Sequence, residues 1–266
     1  MEYAPVTTAN LGEIWRYREL VYFMAWRDVK VRYKQAALGA AWAVLQPLAT
    51  MIVFTIVFGR MANVPSDGLP YPLFAYVGLV LWTYFSGVVA HAGLSLTSNA
   101  NLVTKVYFPR VVLPAASSLS GMLDLAVSLI FVVVLMAYYR TLPGWPLLLA
   151  PLYVVGVFLF TTGMSMFLAA LTVWYRDVKY TLPLLIQLWL LATPVAYPAS
   201  FVPAPYRPIL FLNPMAGLVV GFRTCVLTDT WPDPGLTASS LAVALIVFAI
   251  GWVYFHRTER SFADVI

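Results

Sequence analysis

In 266 residues the chain carries 10% charged against 62% hydrophobic side chains, with a mean hydropathy of +0.83 and a net charge of +5. A water-soluble domain so poor in charge would precipitate, whereas a bilayer demands this composition, so soluble enzymes and nucleic-acid binders are excluded. The lone Cys225 rules out an internal disulfide and a cysteine metal cage, and the length leaves room for five or six membrane crossings and almost nothing besides.

The first ten residues lack a basic stretch followed by an apolar run and a cleavage site, so no cleaved leader is expected. Residues 1–35 are expected to form an N-terminal segment built on an amphipathic interface helix from Asn10 to Lys34. Leu11, Ile14, Trp15, Tyr22, Ala25, Trp26 and Val29 recur at helical spacing, while Glu13, Arg16, Arg27, Lys30 and Lys34 occupy the other side. Asn10 followed three residues later by Glu13 resembles a capping box. Tryptophan anchors beside basic residues suit a membrane surface, and the polar face is free to touch a partner.

Six spans follow, over about 36–59, 72–97, 111–139, 147–174, 181–197 and 236–256. Each is long enough for about 30 Å of hydrocarbon at about 1.5 Å per residue, the fifth only barely. Arg16, Arg18, Arg27, Lys30, Arg32, Lys34, Lys105, Arg110, Arg176, Lys179, Arg257 and Arg260 fall on one side, and Arg60, Arg140, Arg207 and Arg223 on the other. Twelve against four predicts both termini in the cytoplasm. Segment 198–235 is apolar in part, but Pro198, Pro203, Pro205, Pro208 and Asn213-Pro214 break it, and a seventh crossing would put Arg257 and Arg260 outside. It is read as a re-entrant helical pair on the outer side, its irregular backbone buried in protein.

Within this all-α frame, Ala36, Ala37, Gly39, Ala40, Ala41 and Ala43 open the first span with small residues that let another helix approach, either within the chain or across a subunit seam. Pro47 should kink that span. The inner loop Ser98–Arg110 starts polar, turns aromatic at Tyr107 and Phe108 and stops at Pro109. Those rings either plug into a partner's groove or rest in the interfacial belt. Asp124 in the third span and His91 in the second are intramembrane ionisable groups. Too few acids accompany them for a proton relay, so Asp124 is expected to bond Ser or Thr of neighbouring helices and His91 to be a satisfied interior residue. Trp82, Tyr84, Phe85, Trp189 and Tyr197 lie within spans, as belt residues or as rings along a pathway where sugars could stack. No hydrolase, zinc-protease, paired-carboxylate or phosphate-loop motif occurs, and no metal site is expected.

Trp26–Gln35, Leu38-Gly39 and Gln46-Pro47 together resemble the start of the first span in ABC-2 type polysaccharide and polyol-phosphate export permeases. Further matches follow in order: Asn101-Leu102-Val103 with Tyr107–Arg110, Tyr175–Val178, Thr193–Val195 with Tyr197-Pro198, Asn213–Met215 with Gly221–Arg223, and the tail Glu259–Ile266. One departure stands out: Val219-Val220 precede Gly221-Phe222-Arg223 where many relatives carry an acid, which removes an adjacent ion-pair partner for Arg223. The resemblance implies a homodimeric, channel-forming membrane half of an exporter of lipid-linked glycan, such as O antigen, capsule or teichoic acid, in the bacterial inner membrane. It implies that a separate ATPase subunit, in two copies, binds ATP and Mg, with no cofactor in this chain. Asn101, Leu102, Lys105, Tyr107, Phe108, Pro109 and Arg110 would form the coupling loop, Arg176 and Asp177 a second contact, and Trp15, Arg16, Tyr22, Trp26 and Arg27 the interface helix. Asn213, Pro214 and Arg223 would shape the exit. An exporter of small lipophilic compounds or lipids is the alternative within the family; a membrane enzyme acting on lipid-linked sugars would need clustered acids, and a passive pore would not need the aromatic loop.

Overall fold

The computed structural model describes residues 15–34, 39–106 and 108–262, the side chains of Ala40 and Arg260 excepted. Leu11, Ile14, the Asn10–Glu13 capping box, Gln35, Ala36, Ala37, Leu38, Tyr107 and Ala263–Ile266 lie outside the described residues. Among the described residues every regular element is helical. Helix α1 spans Arg18–Tyr33, α2 Trp42–Phe54, α3 Tyr71–Ala92, α4 Ser95–Ser98, α5 Ala100–Lys105 and α6 Val112–Tyr139. Then come α7 Ala150–Trp174, α8 Val178–Leu191, α9 Arg207–Phe211, α10 Pro214–Leu227 and α11 Pro234–Thr258.

Among the described residues, five helical stretches are long and apolar enough to cross a bilayer: Trp42–Met61, Tyr71–Ala92, Val112–Tyr139, Trp145–Trp174 and Pro234–Thr258. The first begins later than expected, after a short turn at Gly39–Ala41, and α2 loosens into a π-helical segment over Thr55–Met61. Pro47 lies inside α2 and is buried. The expected second span, 72–97, divides because α3 ends at Ala92 and Ser95–Ser98 forms a separate turn of helix. The fifth span, 181–197, is helical over only part of its length. Helix α8 has only 14 residues, about 21 Å of rise, which falls short of the hydrocarbon thickness. It stops at Leu191, just ahead of Thr193-Pro194, because a residue before proline is pushed out of helical geometry.

The re-entrant reading of the proline-rich segment agrees with the geometry. The stretch Ala204–Phe211 meets Pro214–Leu227 at a bend of 104°. The Ser200 hydroxyl donates to Asp67 in the loop after the first span at 2.7 Å, and Asp229 abuts Gly144 in the loop after α6. Both loops lie at the end of the bundle away from the chain termini, so the segment leaves and returns on one face. Asn213 turns the hairpin at depth: its side chain accepts from the Met215 amide at 3.1 Å, and Pro214 takes the first helical position, where no amide is missed. Asp233 caps α11 likewise, accepting from the Leu236 amide at 2.8 Å.

Two apolar clusters hold the bundle. The larger runs through the membrane-spanning part around Tyr76, Phe85, Tyr153, Phe160 and Phe222. The smaller lies toward the opposite, terminal face and gathers Val21, Ala25, Leu96, Val103, Phe108, Met166, Trp252, Phe255 and Phe262. Helices α7 and α11 pack most extensively, and they do so through glycine. A Cβ at Gly251 would fall 2.0 Å from the carbonyl oxygen of Gly163, and one at Gly163 would fall 2.4 Å from the Cα of Phe248. In lipid such close backbone approach replaces the hydrophobic drive that water would supply.

Candidate functional site

On the terminal face α1 lies along the first half of α6. Val21 and Ala25 are buried against the smaller cluster, and Asp28, one turn on, faces α6 as well: the Ser117 hydroxyl donates to its carboxylate at 3.4 Å. Arg27 pairs with the same carboxylate at 3.0 Å, and the His91 Nε2 stands 4.0 Å away. Another turn along, Arg32 and Tyr33 both bond the Asp124 carboxylate. Burial, reinforced by that carboxylate, pushes the Tyr33 hydroxyl up to about 12. Trp15, Tyr22 and Trp26 recur at spacings of seven and four and are exposed together, while Arg16 is exposed and Arg27 half-buried beside Asp28. The aromatic stripe therefore points away from the bundle rather than into it.

Two expectations are corrected here. Asp124 does not rely on a serine or threonine side chain of another helix; its carboxylate meets Arg32 and Tyr33 of α1. Ser128 instead donates to the Asp124 carbonyl at 2.9 Å and to the Ala43 carbonyl at 2.8 Å. Ala43 lies in the first turn of α2, so Asp124 sits level with the start of the first span and not in mid-bilayer. His91 is not a satisfied interior residue, for its side chain is 58% exposed. It lines two cavities of about 580 and 360 Å³ beside α1, both of which Arg32 also lines.

The expected docking loop divides into exposed and buried halves. Asn101 and Lys105 of α5 are exposed and Leu102 is half-buried. Val103 turns into the smaller cluster. Phe108 is only 8% exposed and belongs to that cluster beside Phe255 and Phe262, so it is no free plug for a partner's groove. Pro109 and Arg110 are half-buried. The Arg110 amide donates to the Glu259 carboxylate at 2.6 Å, and its guanidinium bonds the Glu259 carbonyl. Arg176 and Asp177, in the turn between α7 and α8, are exposed, as are Trp174 and Tyr175 beside them.

The rings proposed as a pathway lie elsewhere than expected. Trp82, Tyr84 and Phe85 are buried in the chain's own larger cluster. Phe85 stacks on Phe160 with centroids 5.4 Å apart and meets Trp189 edge-on at 5.1 Å. Trp189 is half-buried, and its indole donates to Asn213 at 2.9 Å, so it ties α8 to the tip of the hairpin. Tyr197 is half-buried near the hairpin's origin, its hydroxyl donating to the Leu191 carbonyl at 3.1 Å. Packing took most of these aromatics because a ring buried among helices gains contact area that lipid does not replace with comparable fit.

In α10 of the hairpin, Arg223 is buried without an acid within salt-bridge distance among the described residues. Its guanidinium lies 3.7 Å over the Phe74 ring and donates to the Val195 carbonyl at 3.0 Å. Aromatic face and backbone carbonyl thus replace the carboxylate that Val219-Val220 do not supply. Gly78 makes this possible, since a Cβ there would stand 2.4 Å from the guanidinium. Sequence reasoning missed the roles of Asp28, Ser117, Arg32, Tyr33 and Glu259, because each pairs with a residue 89 or more positions away and one sequence carries no signal for such pairs. No group of three or more metal-ligating side chains occurs among the described residues.

The chain is similar to known transport proteins. The model of the ABC-2 type transporter family matches residues 19–227. The O-antigen export system permease protein RfbA of Myxococcus xanthus is 30% identical over 96% of this chain and 98% of its own length. RfbA of Klebsiella pneumoniae is 26% identical over 97% of each chain. The polysialic acid transport protein KpsM of Escherichia coli is 21% identical over 88% of this chain and 92% of its own.

Proposed function

The chain belongs to the ABC-2 type transporter family, and from that premise we propose that it is the membrane subunit of an ATP-driven exporter of a lipid-linked polysaccharide. The observation that carries this reading is end-to-end similarity to permeases named for O-antigen export, with a polysialic acid transporter more distantly alike. A phosphate-binding loop is absent from the sequence, so hydrolysis falls to a separate ABC ATPase subunit. Two copies of the chain would flank the path, each gripped by one ATPase, with ATP and Mg held by that partner.

In this reading the terminal face is cytoplasmic, in keeping with twelve of sixteen basic residues on that side. Asn101, Leu102 and Lys105 on α5 meet the ATPase, with Arg176 and Asp177 as the second contact. Phe108, Pro109 and Arg110 anchor α5 to the bundle instead of touching the partner. Helix α1 rests its exposed rings in the inner lipid interface, and the α9–α10 hairpin shapes the outer exit around Asn213, Pro214 and Arg223. ATP binding draws the two ATPases together, and the displacement enters through α5.

The test is deletion of the gene in the source bacterium with complementation by a tagged copy. Surface polysaccharide should vanish while its lipid-linked precursor accumulates inside, and the tagged chain should bring down an ABC ATPase. Intact surface polysaccharide with new sensitivity to lipophilic compounds would instead establish the small-molecule exporter.

A further inference from the structure

The tail beginning at Glu259 is a motif that docking and export leave without a task. Its described residues, Glu259 to Phe262, do not trail away from the bundle. The α11 helix ends at Thr258, and the next turn, Glu259–Ser261, folds beneath the loop that joins α5 to α6. There the Glu259 carboxylate accepts from the Arg110 amide at 2.6 Å, and its carbonyl accepts from the Arg110 guanidinium. Phe262 is fully buried and meets Phe255 edge-on with centroids 5.3 Å apart, in the cluster that holds Phe108. Residues 108 to 111 are thus gripped from the end of the last membrane helix by one charged group and two rings.

This grip alters where force applied to α5 can go. Along the chain α5 leads back into α4 and forward into α6, through Phe108–Val111. Through Glu259 it leads equally into α11, which is itself seated on α7 by the glycine contact at Gly163 and Gly251. Packed helices move as rigid rods and pass displacement along without much compression. We propose that Glu259, seated by Phe262, is a positioning residue for energy coupling: it clasps the docking loop to α11, so that displacement of α5 by the ATPase moves α11 and α7 together with α6. The clasp rests on the export reading above.

The test uses the full complex, with variants placed in the source bacterium and purified with their ATPase. Glu259→Ala should leave ATPase co-purification and ATP hydrolysis near wild type but lower surface polysaccharide about tenfold, the factor expected for losing one charge-assisted hydrogen bond. Glu259→Gln keeps an acceptor for the Arg110 amide and loses only the charge, so it should fall about threefold. A residue that merely stabilised the fold would lower all three readouts in proportion to protein recovered. Wild-type export by both variants overturns the clasp, as does loss of the ATPase from the Glu259→Gln complex, which would make Glu259 an assembly residue. Should Glu259→Ala fail to accumulate, export by Glu259→Gln decides the question alone. Failure of the wild-type chain to bring down an ATPase strikes the export reading itself, and the clasp falls with it.

Discussion

Replacing Gly251 by alanine probes the tightest seam of the bundle. The added Cβ would fall 2.0 Å from the Gly163 carbonyl oxygen and 2.7 Å from its carbon, both backbone atoms, whereas ordinary contact begins near 3.4 Å. Helices α7 and α11 must therefore part locally by about 1.4 Å, since no flexible side chain can yield. A gap of even 0.5–1 Å forfeits about a quarter to a half of the dispersion attraction across it. We expect a loss of about 3 kcal/mol, the upper part of the range for overpacking, and a fall in melting midpoint of about 6–12 °C for a chain of this size. The measurement is thermal unfolding in a lipid nanodisc, with Gly87→Ala as its counterpart. Nothing lies within 4 Å of a Cβ at Gly87, so alanine there should stabilise by up to about 1 kcal/mol through helix propensity. A Gly251→Ala midpoint within about 2 °C of wild type, or an equal fall for Gly87→Ala, would refute the seam.

Three other outcomes follow from named contacts. A double-mutant cycle on Arg32→Ala and Asp124→Ala should return a coupling of about 1 kcal/mol, the range for a partly exposed pair, and additivity would deny the latch between α1 and α6. Tyr33→Phe should remove one tyrosinate that titrates near pH 12, read as the difference in absorbance at high pH between the two proteins. Because the folded hydroxyl holds its proton more tightly than the unfolded one, its contribution to stability is whole below pH 10 and is lost as pH climbs toward 12. Arg223→Lys should cost about 2 kcal/mol, since an ammonium loses the flat contact on Phe74, while Arg223→Met should cost less; equal melting of Lys and wild type would contradict the stacking account.

The spans at 111–139, 147–174 and 236–256 were legible almost to the residue, because apolar length is a requirement of the bilayer and each is bounded by polar or proline residues. The hairpin was legible too, from its prolines and from the sign of charge that a seventh crossing would have produced. What sequence obscured was direction. In water an apolar face signals a core, but in lipid the outward face is as apolar as the inward one, so Phe85 in the core and Ile130 at 67% exposure look alike on the page. Phe108 misled for the same reason, since a ring in an inner loop serves equally to bind a partner or to pin the loop. Asp124 misled by its position along α6: only the fold reveals that α2 starts beside it and that α1 brings a guanidinium and a phenol to it. The fifth span read as barely long enough, and proline at 194 shortened it further.

Only 11% of the most apolar stretch of Trp42–Met61 is buried in the chain's own bundle, against 78% for Tyr71–Ala92. Its 20 residues give about 30 Å of rise, hardly more than one hydrocarbon layer. In the paired assembly proposed above, a helix so little covered by its own bundle is the one left open to the second copy of the chain.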